Sequence, residues 1–425
     1  MSTDQKRLFV LSLDGVPFTL LQELLAKGEM PNLNRLVSRG RFEQMDSVQP
    51  PISSVAWTSF MTGKTPAEHG IWGFTERDPS SMDWFVTNSQ RMNGEPFWMT
   101  LSRWGKRVFT MNVPMTYPPR PLNGISICGF LGNDLSRGTY PPEIGVLLKA
   151  RGYRIDSDTE LARKDPLLFL QDLNDVFDRR IEAMWHFYEQ EPWDFFMTHI
   201  METDRLHHFF WEFFQKKDAL YTPLFLKFYH KIDNLLGRIP RDRALLLLSD
   251  HGFTTLRKEV YLNRWLVENG FLKFTQFPPQ SLKDIHRDSR AYSLYPGRIY
   301  INLKGRELTG SVEPGLQYEK IRAELREALG KLAAEDGQMI METILNKEEL
   351  GDSASGNQMP DLLAVAREGF DVKGNLWHDS LFDKTHFNGM HTLHDAFIFT
   401  TVPDLPSERL SIARLREPIL NYFRS

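Results

Sequence analysis

The chain has 425 residues, more than one minimal domain needs, and its 41% apolar and 25% charged content is ordinary for a globular protein with a sizeable core. A formal net charge of −4 gives no electrostatic basis for a nucleic-acid partner or an anionic membrane surface. Cys128 is the sole cysteine, which excludes an intrachain disulfide and thiolate-rich metal sites, so any metal must rely on carboxylate, imidazole and hydroxyl donors.

The first apolar run, LFVLSL, lies far below the ~20 residues that span a bilayer. It ends in Asp14 without a small-residue cleavage site and reads as a strand rather than a signal peptide, so a cytoplasmic location is expected. Gly15 permits a tight turn after it. FTLLQELLAKG has helical spacing with Gly28 as its stop, and MPNLNRLVSRG is a second helix closed by Gly40. A short strand is expected over 45–48. Pro50 and Pro51 then force an extended approach to the helical VAWTSFMTG, placing Ser53 and Ser54 at a helix start. EPFWMTLSRWG is a helix and Val108–Val113 and ISICGF are strands. PPEIGVLLKARG is a helix with prolines at its start and glycine at its end.

A long amphipathic helix is predicted over 165–190 and a strand over 194–202, with Asp204 just past its end. RLHHFFWEFF starts the next helix, so Asp204 and His208, four apart, share a face. After the helix TPLFLKFYHKIDNLLGRI comes LLLLSDHGF. Four leucines in a row read as a strand covered on both faces, as in a parallel sheet. Beyond it VYLNRWLVENGFL is helical, FTQFPPQSLKDIHRD loop-like, RIYINLKGRE a strand, YEKIRAELREALGKLAAE an exposed helix and DLLAVAREGF a strand. This region reads as an insertion over 272–369, a substrate-selecting cap. It divides a catalytic core into 1–271 and 370–425. The stretch 374–393 is rich in His, Asn, Gly and Asp, lacks periodicity and is expected to be an active-site loop. AFIFT returns to the sheet before a short closing helix.

In open α/β sheets ligands bind beyond the carboxyl ends of the strands. Four segments put similar groups there: Asp14; Asp204 with His208; Asp250 with His251; and the tail with His378, His386, His391 and His394. Three carboxylates and three imidazoles suit two divalent cations about 4 Å apart. Ser53, at a helix start, is the natural nucleophile, since a hydroxyl needs a base or a metal to react at neutral pH and a helix N-terminus attracts phosphate.

The segments LDGV, PPISSVAWTSFMTGKTPAEHGI, DRLHHFFW, SDHGF and GMHTLHDAF, in this order, resemble the alkaline phosphatase superfamily and its type I phosphodiesterase/nucleotide pyrophosphatase branch. The resemblance runs from Asp14 to Asp395. It implies an alkaline-phosphatase-like α/β fold: a mostly parallel central sheet with helices on both faces and an inserted cap. It further implies two divalent metals; mixed carboxylate and imidazole ligation suits zinc, with manganese as the alternative. Asp14, Ser53, Asp250 and His251 would hold one, and Asp204, His208 and His391 the other. Ser53 is chosen over Ser54 because it keeps the family's spacing to Thr62-Gly63 and His69-Gly70. The Gly-x-His frame selects His391 from the tail histidines.

Two departures stand out. Phe74 occupies the position of the branch's phosphoryl-binding asparagine. Asp395 replaces a glycine beside His391 and is expected to orient that imidazole. His199 and Cys128 read as buried core residues, His207 as structural, and His69 as a brace for the nucleophile helix. The stripe Phe209, Phe210, Trp211, Phe213 and Phe214 reads as packing. Trp72 and Phe74 are candidates for either packing or the substrate mouth. The sulfatase frame Cys/Ser-x-Pro-x-Arg is absent at Ser53. The expected activity is hydrolysis of a small-molecule phosphate ester through a phosphoserine intermediate, with no stable nucleic-acid partner and no membrane. The alternatives are a phosphomonoesterase, a phosphotransferase or mutase of the same superfamily, and a non-catalytic metal- and phosphate-binding protein.

Overall fold

A computed structural model describes residues 6–132, 134–240, 243–352, 356–403, 405 and 409–424. The chain forms two compact units, one of Met1–Lys64, Asn88–Thr255 and Asn388–Ser425, the other of Thr65–Thr87 and Leu256–Phe387.

The first unit is built on an eight-stranded sheet flanked by helices. Its strands run, in spatial order, Arg41–Met45, Ala396–Thr400, Ala244–Leu248, Leu8–Leu13, Phe195–Ile200, Val108–Val113, Gly124–Cys128 and Thr139–Tyr140. The five from Ala244–Leu248 to Gly124–Cys128 are mutually parallel, and antiparallel strands close both edges. Every residue of Leu8–Leu13 and of Phe195–Ile200 is buried, as expected of strands covered on both faces. Leu8–Leu13 lies between the other two site-bearing strands, with Ser12 opposite both His199 and Leu248. That register sets the chain following Leu13, Ile200 and Leu248 together beyond the carboxyl ends of these parallel strands. The residues that follow include Asp14, Asp204 and the Asp250–His251 pair.

The strand expected over 45–48 is instead Arg41–Met45. Its position is fixed by antiparallel pairing with Ala396–Thr400, Met45 opposite Ala396, which starts the strand directly after Gly40. The stretch 374–393 is not one loop. Gly389–Thr392 pairs antiparallel with Gly252–Thr255, placing His391 opposite Phe253, and Phe382–Asp383 pairs with Lys258–Tyr261.

The second unit takes in the expected 272–369 insertion and extends past it at both ends, adding Thr65–Thr87 from far upstream. Its four-stranded antiparallel sheet follows the order Ala291–Leu294, Arg298–Ile301, Leu362–Ala366, Met341–Asn346. The upstream segment forms the hairpin Thr75–Asp78 with Asp83–Val86 and is tied in by buried ion pairs, Glu76 to Arg298 at 2.8 Å and Arg77 to Glu307 at 3.0 Å. Buried charges persist only when paired. Those pairings account for a membership that hydrophobic pattern alone does not signal. Among the described residues no helix is long and apolar enough to cross a membrane.

Candidate metal centre

Asp14, Ser53, Asp250 and His251 meet in the interior of the first unit. Asp14, Asp250 and His251 are fully buried, and Ser53 is nearly so. Ser53 opens the helix Ser53–Thr62, and its Oγ lies 3.2 Å from Asp14 Oδ1 and 3.3 Å from His251 Nε2. His251 Nε2 is 3.5 Å from Asp14 Oδ1 and 3.4 Å from Asp250 Oδ2. Gly15 N–H donates to Asp250 Oδ1 at 3.1 Å. The adjacent Ser54 hydroxyl is buried and makes no hydrogen bond among the described residues, so only Ser53 faces the carboxylates.

Asp204 and His208 lie one turn apart on the helix Glu202–Gln215, and His391 comes from the strand Gly389–Thr392. Asp204 Oδ1 is 3.3 Å from His208 Nε2 and 3.2 Å from His391 Nε2, and the two imidazole nitrogens are 3.1 Å apart. The His251 and His391 rings stack at 3.7 Å, joining the two groups. Donor atoms of Asp14, Asp250 and His251 fall within 4.8 Å of one another, as do those of Asp204, His251 and His391. The second group reaches the surface, with the His208 and His391 side chains 16% and 14% exposed.

The backbone decides the tautomers. Nδ1 of His251, His208 and His391 lies 3.0, 3.2 and 3.0 Å from the carbonyl oxygens of Gly252, Gly389 and Pro51. A carbonyl only accepts, so each neutral ring carries its proton on Nδ1 and leaves Nε2 with a bare lone pair. The His208 and His391 lone pairs then face one another, and that of His251 faces two carboxylates. Asp250 Oδ2 has no hydrogen-bond donor among the described residues. Lone pairs converging in a buried space repel unless a cation or a proton stands between them. The donor set therefore fits the two divalent metals that the resemblance implies.

The protonation tendencies agree. Burial, and then the neighbouring Asp250, pushes the Asp14 carboxyl upward, and burial does the same to Asp250. Burial, with His391 adding to it, depresses His251 to about 3. Burial would raise Asp204 as well, but His208 and His391 outweigh it and hold Asp204 well below its ordinary value. His391 is raised because Asp204 overcomes the burial that opposes its charge.

All seven expected residues fall in these two adjoining groups. Sequence reasoning missed several neighbours. His199 Nε2 lies 2.9 Å from Asp14 Oδ2, with Ser12 Oγ 2.9 Å from its Nδ1, and the Trp57 indole N–H donates to the same carboxylate oxygen at 3.4 Å. His199 lies within the fully buried strand Phe195–Ile200, so its sequence neighbourhood looks like core. Arg205 Nη1 donates to Asp204 Oδ2 at 3.1 Å while its fork grips Asp156. A basic residue flanking a candidate ligand was the available signal. Asp395 does not orient His391. It caps the helix Phe18–Ala26 by accepting from Thr19 N–H and Oγ1, because that helix has no side-chain cap of its own. The Pro51 carbonyl holds His391 instead. His69 Nδ1 accepts from Ile71 N–H within its own turn, and Trp72 is buried against Ala67 and Met359. Of the aromatic stripe, Phe209, Phe210, Trp211 and Phe214 are buried and Phe213 is half-buried.

No curated protein matches the chain significantly. Its fold is similar to that of phosphonoacetate hydrolase from Sinorhizobium meliloti 1021, solved with phosphonoformate and with phosphonoacetate. The TM-score is 0.68 at 17% identity, covering 98% of this chain and 96% of that one. Murine ectonucleotide pyrophosphatase/phosphodiesterase 5 is similar with a TM-score of 0.60 at 15% identity, covering 99% and 95%. The human form has a TM-score of 0.58 at 15% identity, with the same coverage. The family model of the type I phosphodiesterase/nucleotide pyrophosphatases matches residues 8–393, which supports a phosphoester hydrolase. On that match, spanning both units, the chain belongs to the type I phosphodiesterase/nucleotide pyrophosphatase family.

Proposed function

We propose that the chain is a dinuclear metal-dependent phosphoric ester hydrolase with Ser53 as nucleophile, acting on phosphodiesters or nucleotide-like pyrophosphates. The observation that carries this reading is the closure of buried carboxylates and imidazole Nε2 atoms on Ser53 Oγ and its surroundings. Asp14, Ser53, Asp250 and His251 would hold one cation, and Asp204, His208 and His391 the other. Zinc suits mixed carboxylate and imidazole donors, with manganese as the alternative. When bound, the cations supply Lewis acidity, balance phosphoryl charge and lower the pKa of a hydroxyl beside them.

The chain's own residues perform the rest. Ser53 Oγ, oriented by Asp14 and His251, attacks phosphorus in line. The bond from phosphorus to the leaving alkoxide breaks as the serine ester forms, and the proton lost from Ser53 Oγ is matched by one the alkoxide takes from water. Water entering from the more exposed Asp204–His208–His391 side then attacks phosphorus, releases Ser53 and restores configuration overall. The N–H groups of Ser53 and Ser54 sit in a first helical turn, where they have no intrahelical acceptor. They are available to phosphoryl oxygens, and their share is larger because Phe74 replaces the family asparagine. Selection of the leaving group is assigned to the 272–369 insertion within the second unit.

The test is Ser53→Ala assayed on bis-(p-nitrophenyl) phosphate with zinc and manganese added separately. Loss of turnover by at least ~10³-fold is expected. Undiminished metal-dependent turnover would remove Ser53 from the mechanism. Wild-type protein that binds two metals but turns over no mono- or diester would favour a non-catalytic binding protein.

A further inference from the structure

The helix Glu202–Gln215 carries two i,i+4 pairs set one residue apart. Asp204 and His208 belong to one proposed metal position. Thr203 and His207 turn to the other. Thr203 Oγ1 donates to the main-chain oxygen of Asp14 at 2.6 Å, and His207 Nδ1 lies 2.8 Å from the carbonyl oxygen of Gly15. Both side chains are fully buried.

His207 is itself held. Its Nε2 lies 2.8 Å from the Tyr229 hydroxyl on the helix Tyr221–Arg238. The Gly15 carbonyl can only accept, so Nδ1–H donates to it and the tyrosine hydroxyl donates to Nε2. Phe225 stacks on the ring at 5.5 Å, and Trp211 and Phe253 meet it edge-on at 5.0 and 5.1 Å. Tautomer and orientation are thereby fixed.

Gly15 passes this constraint on. Its carbonyl is bound by His207, its N–H donates to Asp250 Oδ1, and it follows Asp14 directly. Two carboxylates of the buried metal position are thus aimed by a turn whose two consecutive carbonyls are gripped by the helix bearing ligands of the other position. We propose that Thr203 and His207, the latter braced by Tyr229, are positioning residues that set the geometry of the Asp14–Asp250 metal position, so that one helix aligns both cations.

The inference rests on the dinuclear reading, and one experiment separates the two. Zinc affinity is measured by competition with a chromophoric chelator on the metal-free full chain. The wild type is compared with His207→Phe, His207→Asn and Tyr229→Phe, with unfolding midpoints recorded in parallel. Phenylalanine keeps the ring stack and removes the donor. Asparagine keeps a donor near the Nδ1 position. One of the two zinc affinities is expected to fall by 10–100-fold in His207→Phe, the range typical of lost partners behind metal ligands. The other should change only a few-fold, with partial recovery in His207→Asn. A purely structural role would lower the unfolding midpoint and leave zinc affinity alone. Both affinities within twofold of wild type, or both falling equally, would overturn the proposal. If His207→Phe does not fold, Tyr229→Phe is decisive. A selective loss of threefold or more at one position supports the proposal, and wild-type affinities at both overturn it. Failure of the wild type to bind zinc would overturn the dinuclear reading itself.

Discussion

Gly15→Ala tests how tightly the turn after the first strand constrains the metal centre. Gly15 has φ +63°, a left-handed conformation that costs an L-residue about 1–2 kcal/mol. A methyl group there would lie 3.0 Å from His251 Cε1 and 3.1 Å from two Phe253 ring carbons. Neither ring can yield freely. His251 is buried, held by the Gly252 carbonyl and stacked on His391, and Phe253 is packed against His207 and Trp211. Overpacking of this kind costs about 1–3 kcal/mol, for a combined loss of about 2–5 kcal/mol. The measurement is the urea midpoint of the metal-free protein, followed by zinc affinity of the folded variant. Both should fall, since relief of the clash must displace a proposed ligand. A loss below about 0.5 kcal/mol, the ordinary range for a tolerated surface change, with unchanged zinc affinity would refute the reasoning.

Further outcomes follow from the same geometry. Chelation should abolish ester hydrolysis and lower thermal stability, by about 2.7 kcal/mol for each position filled at a hundredfold excess over Kd; zinc should restore both. Arg180→Met should cost ~3–5 kcal/mol by stranding the buried Glu202 carboxylate that Arg180 binds at 2.6 Å, and adding Glu202→Gln should recover part of it, measured by urea unfolding. Burial pushes the Cys128 thiol up to about 12 from an ordinary 9.0, so the folded chain keeps a proton that the unfolded chain releases. The contribution is complete below pH 9.0 and is lost as pH rises towards about 12. Urea midpoints at about pH 8 and about pH 10.5 should therefore fall less in Cys128→Ala than in the wild type.

Much of the site was legible in the sequence because its ligands follow strand ends, and strand ends are marked by apolar runs that stop abruptly. LFVLSL before Asp14 and LLLLS before Asp250 show the pattern plainly. Asp204 and His208 were legible for a second local reason, their helical spacing. What was illegible depends on distant partners. The stretch holding His391 lacks periodicity, yet it becomes a strand once Gly252–Thr255 is beside it. Gly389 permits that approach, since a Cβ there would lie 2.6 Å from Phe253 Cε1. Asp395 was misassigned because proximity in sequence to His391 suggested contact, whereas His391 lies in the strand Gly389–Thr392 and Asp395 falls past its end, where it meets Thr19. The hairpin Thr75–Asp78 with Asp83–Val86 joins the second unit through buried arginine pairs with partners more than two hundred residues away. His199 reads from the sequence as core and His207 as structural, and both are buried. Their chemistry lies in which carboxylate or carbonyl each ring nitrogen meets, and only the folded register reveals that.

The most direct test is anomalous diffraction at the zinc edge from crystals of the full chain grown with zinc. Two peaks are expected in the first unit, one bounded by Asp14, Ser53, Asp250 and His251, the other by Asp204, His208 and His391. A single peak, peaks away from these side chains, or none at saturating zinc would contradict a two-cation centre built around Ser53.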